Sequence, residues 1–230
     1  MSPSRVDSPI GSSPFSSFDS IPPFPTTIPT APLLRISLSK LLSHDADEEQ
    51  RLWNACRDLG FFYLDLRNAS STSTSTSFSP TTTTTPTPSQ QHTISGDTLL
   101  HNADALFSLQ KQLFDLPLPE KQRYDWSSKG SYFGYKGYGA GVIDKKGTAD
   151  RNEFYNVSKD DVLDVVAPQD RLPAPEMLGL ESTNRKTLAS FIEGSHAVVR
   201  LILDLLDQRL GLPWGKLGGL HRLEGVSGDQ

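Results

Sequence analysis

The chain has 230 residues, a formal charge of −5 and 36% hydrophobic residues, enough for one domain with a real core plus polar tails. The mild acidity, with no Lys/Arg cluster, argues against partners among nucleic acids or anionic membranes. A single cysteine, Cys56, excludes an intrachain disulfide and a thiolate zinc site and fits a reducing compartment, by default the cytoplasm.

No apolar run is long enough to span a bilayer. The start, Met1-Ser2-Pro3-Ser4, lacks the basic-then-apolar pattern of a secretory signal. Residues 1–30 are rich in Ser and Pro, offer little to bury, and read as a disordered lead-in. The run Pro32 to Leu38 fits a strand. A helix follows, with Asp45, Asp47, Glu48 and Glu49 at its N-terminus. Leu52, Trp53, Cys56 and Leu59 recur at helical spacing, and Gly60 ends it. The aromatic run Phe61-Phe62-Tyr63-Leu64 predicts a second strand.

Residues 69–94 are dominated by Ser, Thr and Pro and read as a solvated insert. Beyond it, Asp97 is placed to cap a helix whose apolar face carries Leu99, Leu100, Ala103, Leu106, Phe107, Leu113 and Phe114. Pro117 and Pro119 are expected to end that helix. A Gly- and Tyr-rich stretch spans 130–141, and 153–157 predicts a strand. A long helix is expected over 182–210, with Leu188, Phe191, Ile192, Val198, Val199, Ile202, Leu205 and Leu206 on one face. Gly211 and Pro213 stop it. Residues 220–226 alternate weakly, like an entering strand.

These pieces resemble a known family. Cys56-Arg57-Asp58-Leu59-Gly60-Phe61-Phe62 is similar to the segment that opens the isopenicillin N synthase-like Fe(II)/2-oxoglutarate-dependent oxygenases. Leu116-Pro117-Leu118-Pro119-Glu120-Lys121 with Tyr124 looks like that family's "LP-x-e-x-K" element. Gly134-Tyr135 to Gly141, followed by Asp150-Arg151-Asn152-Glu153-Phe154, resembles its "GY…G…D-x-x-E-x-F" region. The likeness covers about residues 28–68 and 95–228, and the resemblance implies a non-haem dioxygenase N-terminal domain over 31–68 and 95–230. The resemblance implies an α/β (α+β) fold, the helix-and-strand region that flanks a double-stranded β-helix, or jelly roll. The jelly roll itself would be largely missing here.

In a full-length member, the resemblance implies Fe(II) held by His-x-Asp and a distant His, and 2-oxoglutarate gripped by Arg-x-Ser. Two imidazoles and a carboxylate leave open iron positions, and a guanidinium fork matches a carboxylate. None of His44, His92, His101, His196 and His221 begins His-x-Asp. His101 with Asp104 reads as a solvated helix pair, and His196 as a hydrogen-bonded helix histidine. Arg35-Ile36-Ser37 lies too far upstream for the family's Arg-x-Ser. Gly137–Gly141 lacks the Lys-Ser/Thr of a phosphate loop. No catalytic or metal residue is therefore assigned, and no cofactor is expected in this chain.

Whether the polypeptide is itself an enzyme stays open. It is read as the N-terminal part of a dioxygenase-like protein acting on a small organic molecule. The alternative is a non-catalytic binding or dimerisation module derived from that fold. The resemblance implies that the region of Tyr132, Tyr135 and Tyr138 lines the substrate mouth, whereas Glu153 is read as fixing local structure. Each large apolar side chain left uncovered forfeits about 1.5–3 kcal/mol. With the face of helix 182–210 bare, the chain is expected to be poorly stable, to self-associate or to dock on a partner.

Overall fold

The structure, a computed structural model, describes residue 22 and residues 25–70, 93–179 and 181–227. The chain divides into two units, Met1–Pro32 and Leu33–Gln230. The lead-in read over 1–30 lies mostly outside the described residues, as do residues 71–92 of the Ser/Thr-rich insert.

In the second unit, β1 (Leu34–Ser37) passes directly into the short helix α1 (Leu38–Leu42), then α2 (Ala46–Asp58) and β2 (Phe62–Asp65). β1 and β2 pair in parallel, with Ile36 opposite Leu64. A parallel pair needs a crossover, and α1 with α2 supplies it. Ile36, Leu38, Leu41 and Leu52 are sealed beneath. The sequence reading missed α1, because Leu38 looked like the end of an apolar strand. The handover from strand to helix is made by Glu48. Its buried carboxylate accepts the Ser37 N–H at 2.6 Å and the Arg51 guanidinium at 2.6 Å. Asp45 caps α2 by accepting the Glu48 N–H at 2.9 Å.

The helix α3 (Gly96–Phe114) is capped by Ser95, whose hydroxyl accepts the Thr98 N–H. The cap is therefore not Asp97, which lies in the first turn, where its charge still opposes the helix dipole. Nor do the prolines end α3, which stops at Phe114. Pro117 precedes α4 (Leu118–Gln122), and Pro119 sits in its first turn, where a missing N–H breaks no helical bond. β3 (Gly134–Lys136) and β4 (Phe154–Asn156) form an antiparallel pair, with Tyr135 opposite Tyr155. After α5 (Lys159–Val162) comes α6 (Thr183–Leu210), capped by Ser182 and closed by Gly211 at φ 68°. These helices and two small sheets make the described part of the chain α/β.

Residues 220–226 form no strand. Their carbonyls are taken by an ammonium instead of a ladder: Lys159 Nζ donates to Leu223 O at 3.0 Å and Gly225 O at 2.7 Å. The neighbouring Asp160 carboxylate accepts from the Ser227 N–H at 2.7 Å.

α6 runs through both parts of the core. Ala197 and Val198 pack with Leu38, Ala69, Ile94 and Leu99, and Leu205 packs with Ile36, Leu41 and Leu52. Gly194 admits α3 closely, since a Cβ there would lie 2.9 Å from Leu99 Cδ2. Much of the apolar face read on this helix is covered within the chain. Val198 and Leu205 are buried, Leu188, Phe191, Ile192, Ile202 and Leu206 are half-buried, and Val199 is exposed. Both ends of the Ser/Thr-rich stretch are anchored as well. Ala69 and Ile94 are buried, Ser70 bridges Ser95, and Gly96 N–H donates to Ala69 O at 2.7 Å.

That junction leaves no room at Gly96, where a Cβ would sit 1.7 Å from Leu66 O. Gly96→Ala is expected to lower the unfolding free energy by about 3 kcal/mol or more. Urea denaturation followed by circular dichroism measures this, and an unchanged midpoint would show that the junction is not closed in this way.

Candidate functional site

Three of the motif-bearing segments meet at one point. Lys121 of α4 is nearly sealed from solvent. Its Nζ donates to Phe114 O at 2.9 Å and to Glu153 Oε2 at 3.0 Å. It also lies over two rings, 5.8 Å from the Phe114 centroid and 5.5 Å from that of Tyr135. The Tyr135 hydroxyl donates to the same Glu153 oxygen at 2.7 Å. The hydrogen bond from Tyr135, aided by Lys121, holds the Glu153 carboxyl below the usual range. Burial, then Glu153, pushes the Tyr135 phenol up to about 12. Glu153 thus ties α4 to the β3–β4 pair.

A second ion pair shapes the Gly-rich turn. Lys136 Nζ donates to Asp150 Oδ2, and to Asn152 Oδ1 at 2.7 Å. Asp150 Oδ1 accepts the Gly139 N–H at 3.0 Å, and Gly139 has φ 77°. Lys136, more than any other group, holds the Asp150 carboxyl below its ordinary value.

Beside this framework lie two adjoining clefts of about 340 and 400 Å³ that share Phe133, Ser158, Asp161 and Leu172. Tyr132 lines the larger one. It is 73% exposed, its carbonyl accepts from Asn156 Nδ2 at 2.9 Å, and its ring centroid is 6.2 Å from that of Phe154. The structure does not bring the three tyrosines together. Tyr135 is 4% exposed and committed to Glu153, and Tyr138 is 66% exposed on the turn; neither lines these clefts.

The smaller cleft holds residues that no sequence motif marked. Arg185 donates to Asp164 Oδ1 at 2.7 Å, Arg171 Nη2 forms an ion pair with the same oxygen at 2.6 Å, and Asp164 itself adopts φ 59°. Arg171 is also held by Val166 O and Arg185 by Asp161 O. Burial raises the Asp161 carboxyl above its ordinary value, against a hydrogen bond from the Leu172 backbone. Burial likewise raises the Tyr155 phenol. Arg171 and Arg185 stand on different elements, so only the fold makes them neighbours.

Among the described residues, no three His, Cys, Asp or Glu side chains gather closely enough to hold a metal ion. His44 Nδ1 lies 3.3 Å from Glu49 Oε1, and His196 Nε2 lies 2.7 Å from His221 O. His101 is exposed on α3. Arg35-Ile36-Ser37 is β1 itself, with Ile36 buried. The described residues therefore do not fit a two-imidazole, one-carboxylate iron site.

Residues 90–176 match the family described as non-haem dioxygenase in morphine synthesis N-terminal. A 2-oxoglutarate-dependent dioxygenase of Aspergillus fumigatus is 28% identical over 208 residues, 90% of this chain and 46% of that protein. The 2-oxoglutarate-dependent dioxygenase gloE of Glarea lozoyensis is 30% identical over 181 residues, 78% of this chain and 43% of its own length. The chain belongs to the 2-oxoglutarate/Fe(II) oxygenase family, as its N-terminal region. A third member, the 2-oxoglutarate-dependent dioxygenase frbH of a Dothideomycetidae species, is 30% identical over 177 residues, 77% of this chain and 44% of its own length. The chain thus spans a little under half the length of these curated relatives in the family. No solved structure matches it significantly. No helix among the described residues is long and apolar enough to cross a membrane.

Because the Glu153 carboxyl is held low, its contribution to stability is complete above the unfolded carboxylate value of about 4.3. It is lost as pH falls through the lower folded value. Glu153→Gln should cost about 1–2 kcal/mol at pH 7. The gap to the native protein should narrow below a pH of about 4. Urea titrations at neutral and acid pH measure both effects; a gap that widens in acid would contradict the assignment.

Proposed function

We propose that this chain serves as the N-terminal part of a 2-oxoglutarate/Fe(II)-dependent dioxygenase acting on a small organic molecule. In this reading it walls the substrate entrance, and the iron and 2-oxoglutarate are held by residues outside these 230. When bound in such an enzyme, the iron and 2-oxoglutarate supply the oxidising chemistry. This chain's residues contribute binding and orientation. Tyr132 offers a ring face and a hydroxyl to the entrance, and the paired clefts give room for a ligand of ordinary metabolite size.

The observation that carries the reading is the match of residues 90–176 to the family's N-terminal region. The β1–β2 pair adds support. Parallel sheets are normally covered on both faces. Here Ile36 and Leu64 face the core, while Tyr63, with Phe61 just before the strand, is exposed on the other side. That bare aromatic surface is where further polypeptide would pack.

Succinate release from 2-oxoglutarate tests the proposal. Residues 1–230, supplied with Fe(II), ascorbate and 2-oxoglutarate, are expected to release none. A protein extended to the length of the relatives is expected to turn over. Turnover by the 230 residues alone, or none by the extended protein, would sink the reading. In the extended protein, Tyr132→Ala should raise the substrate KM several-fold, about 1 kcal/mol of lost contact, with kcat little changed.

A further inference from the structure

We infer that the cleft beside Arg171 and Arg185 is a receptor for the carboxylate of a small, otherwise apolar molecule. The inference deepens the preceding section and rests on its reading that this region receives a small organic ligand.

The two arginine side chains are 11% and 12% exposed, yet both line the 340 Å³ cleft. Each is fixed from behind by a backbone carbonyl, Arg171 by Val166 O and Arg185 by Asp161 O at 2.6 Å. Their placement therefore does not depend on Asp164 alone. The bonds they make leave Nη1 of Arg171, and Nε and Nη1 of Arg185, without a protein acceptor among the described residues. None of these nitrogens is sealed from solvent. Donors on two rigidly held cations, opening into a cleft, are what a carboxylate needs.

The charge around them is compatible. Asp164, the one carboxylate paired to both arginines, is 66% exposed, where water screens it. The Asp161 carboxyl faces the cleft, but it accepts the Leu172 N–H and its burial favours the neutral form. The walls set the rest of the ligand. Trp126, Phe133, Tyr155, Leu172, Leu178 and Leu188 surround the space. They suit a ring or short hydrocarbon body, and the volume suits a molecule of about a dozen heavy atoms rather than a peptide or a nucleotide.

Ligand-detected NMR titration of the 230-residue chain with phenylacetate, against its neutral isostere phenylacetamide, tests the inference without iron or turnover. Phenylacetate should bind about tenfold more tightly than the amide. Arg185→Gln should abolish that preference. Asp164→Asn keeps a residue tolerant of positive φ while removing a competing charge, and should tighten phenylacetate about threefold. Equal binding of acid and amide would overturn the inference, and so would failure of phenylacetate to bind both the native chain and Asp164→Asn. Should Arg185→Gln not fold, the acid-to-amide ratio on the other two proteins still decides. If the acid binds but the extended protein releases no succinate, the oxygenase reading alone fails. If turnover occurs without acid preference, this inference alone fails.

Discussion

A cation placed where water barely reaches must be paired, or it costs several kcal/mol. Lys121 is such a cation, and the cleft region is organised around its partners. Phe114 O at the end of α3, Glu153 beside β4 and the Tyr135 ring from β3 converge on one ammonium. β3 and β4 have three residues each, too few to persist as an isolated hairpin. Their position follows from Glu153 being held by both Lys121 and the Tyr135 hydroxyl. Phe133, Tyr132 and Tyr155, which line the clefts, are neighbours in sequence of residues in this knot. The wall of the site is thus an outgrowth of a charge that had to be satisfied.

The same device recurs away from the cleft. Glu48, Asp160 and Asp207 are all essentially sealed, and each accepts a backbone N–H from outside its own helix: Ser37, Ser227 and Leu217 respectively. Short strands and irregular connections cannot satisfy their own amides through ladders, and a buried amide without an acceptor is costly. Carboxylates standing on helices fill the gap. This arrangement lets a chain with little sheet pack its connections closely against α2, α5 and α6.

Much of the framework was legible in the sequence because it depends on local signals. The acidic cluster before α2, Gly60 after it, and the apolar spacing between Ser182 and Gly211 are rules of helix start, face and stop. Errors arose where two local signals competed. Pro119 marks a helix start as readily as a helix stop, and Ser95 outcompeted Asp97 as a cap because it is the residue with extended backbone. The failed strand at 220–226 was decided by Lys159, more than sixty positions away. The site was less legible. Tyr135 and Tyr138 carry the same side chain in the same motif, and only tertiary packing buries one and exposes the other. Arg171 and Arg185 became neighbours through Asp164, in a backbone conformation that composition does not announce.

The closed stem at the ends of the Ser/Thr-rich stretch has a further meaning. Ala69 and Ile94 are core residues, and the Ser70–Ser95 bridge with the Gly96–Ala69 hydrogen bond draws the two ends together. Doubling the length of a flexible loop costs only about 0.6 kcal/mol in closure entropy. By that measure, residues added between two ends held in this way cost the fold little closure entropy. This stretch is equally the natural place to graft a foreign peptide, such as an affinity epitope or a dye-binding sequence, without disturbing the framework that positions the clefts.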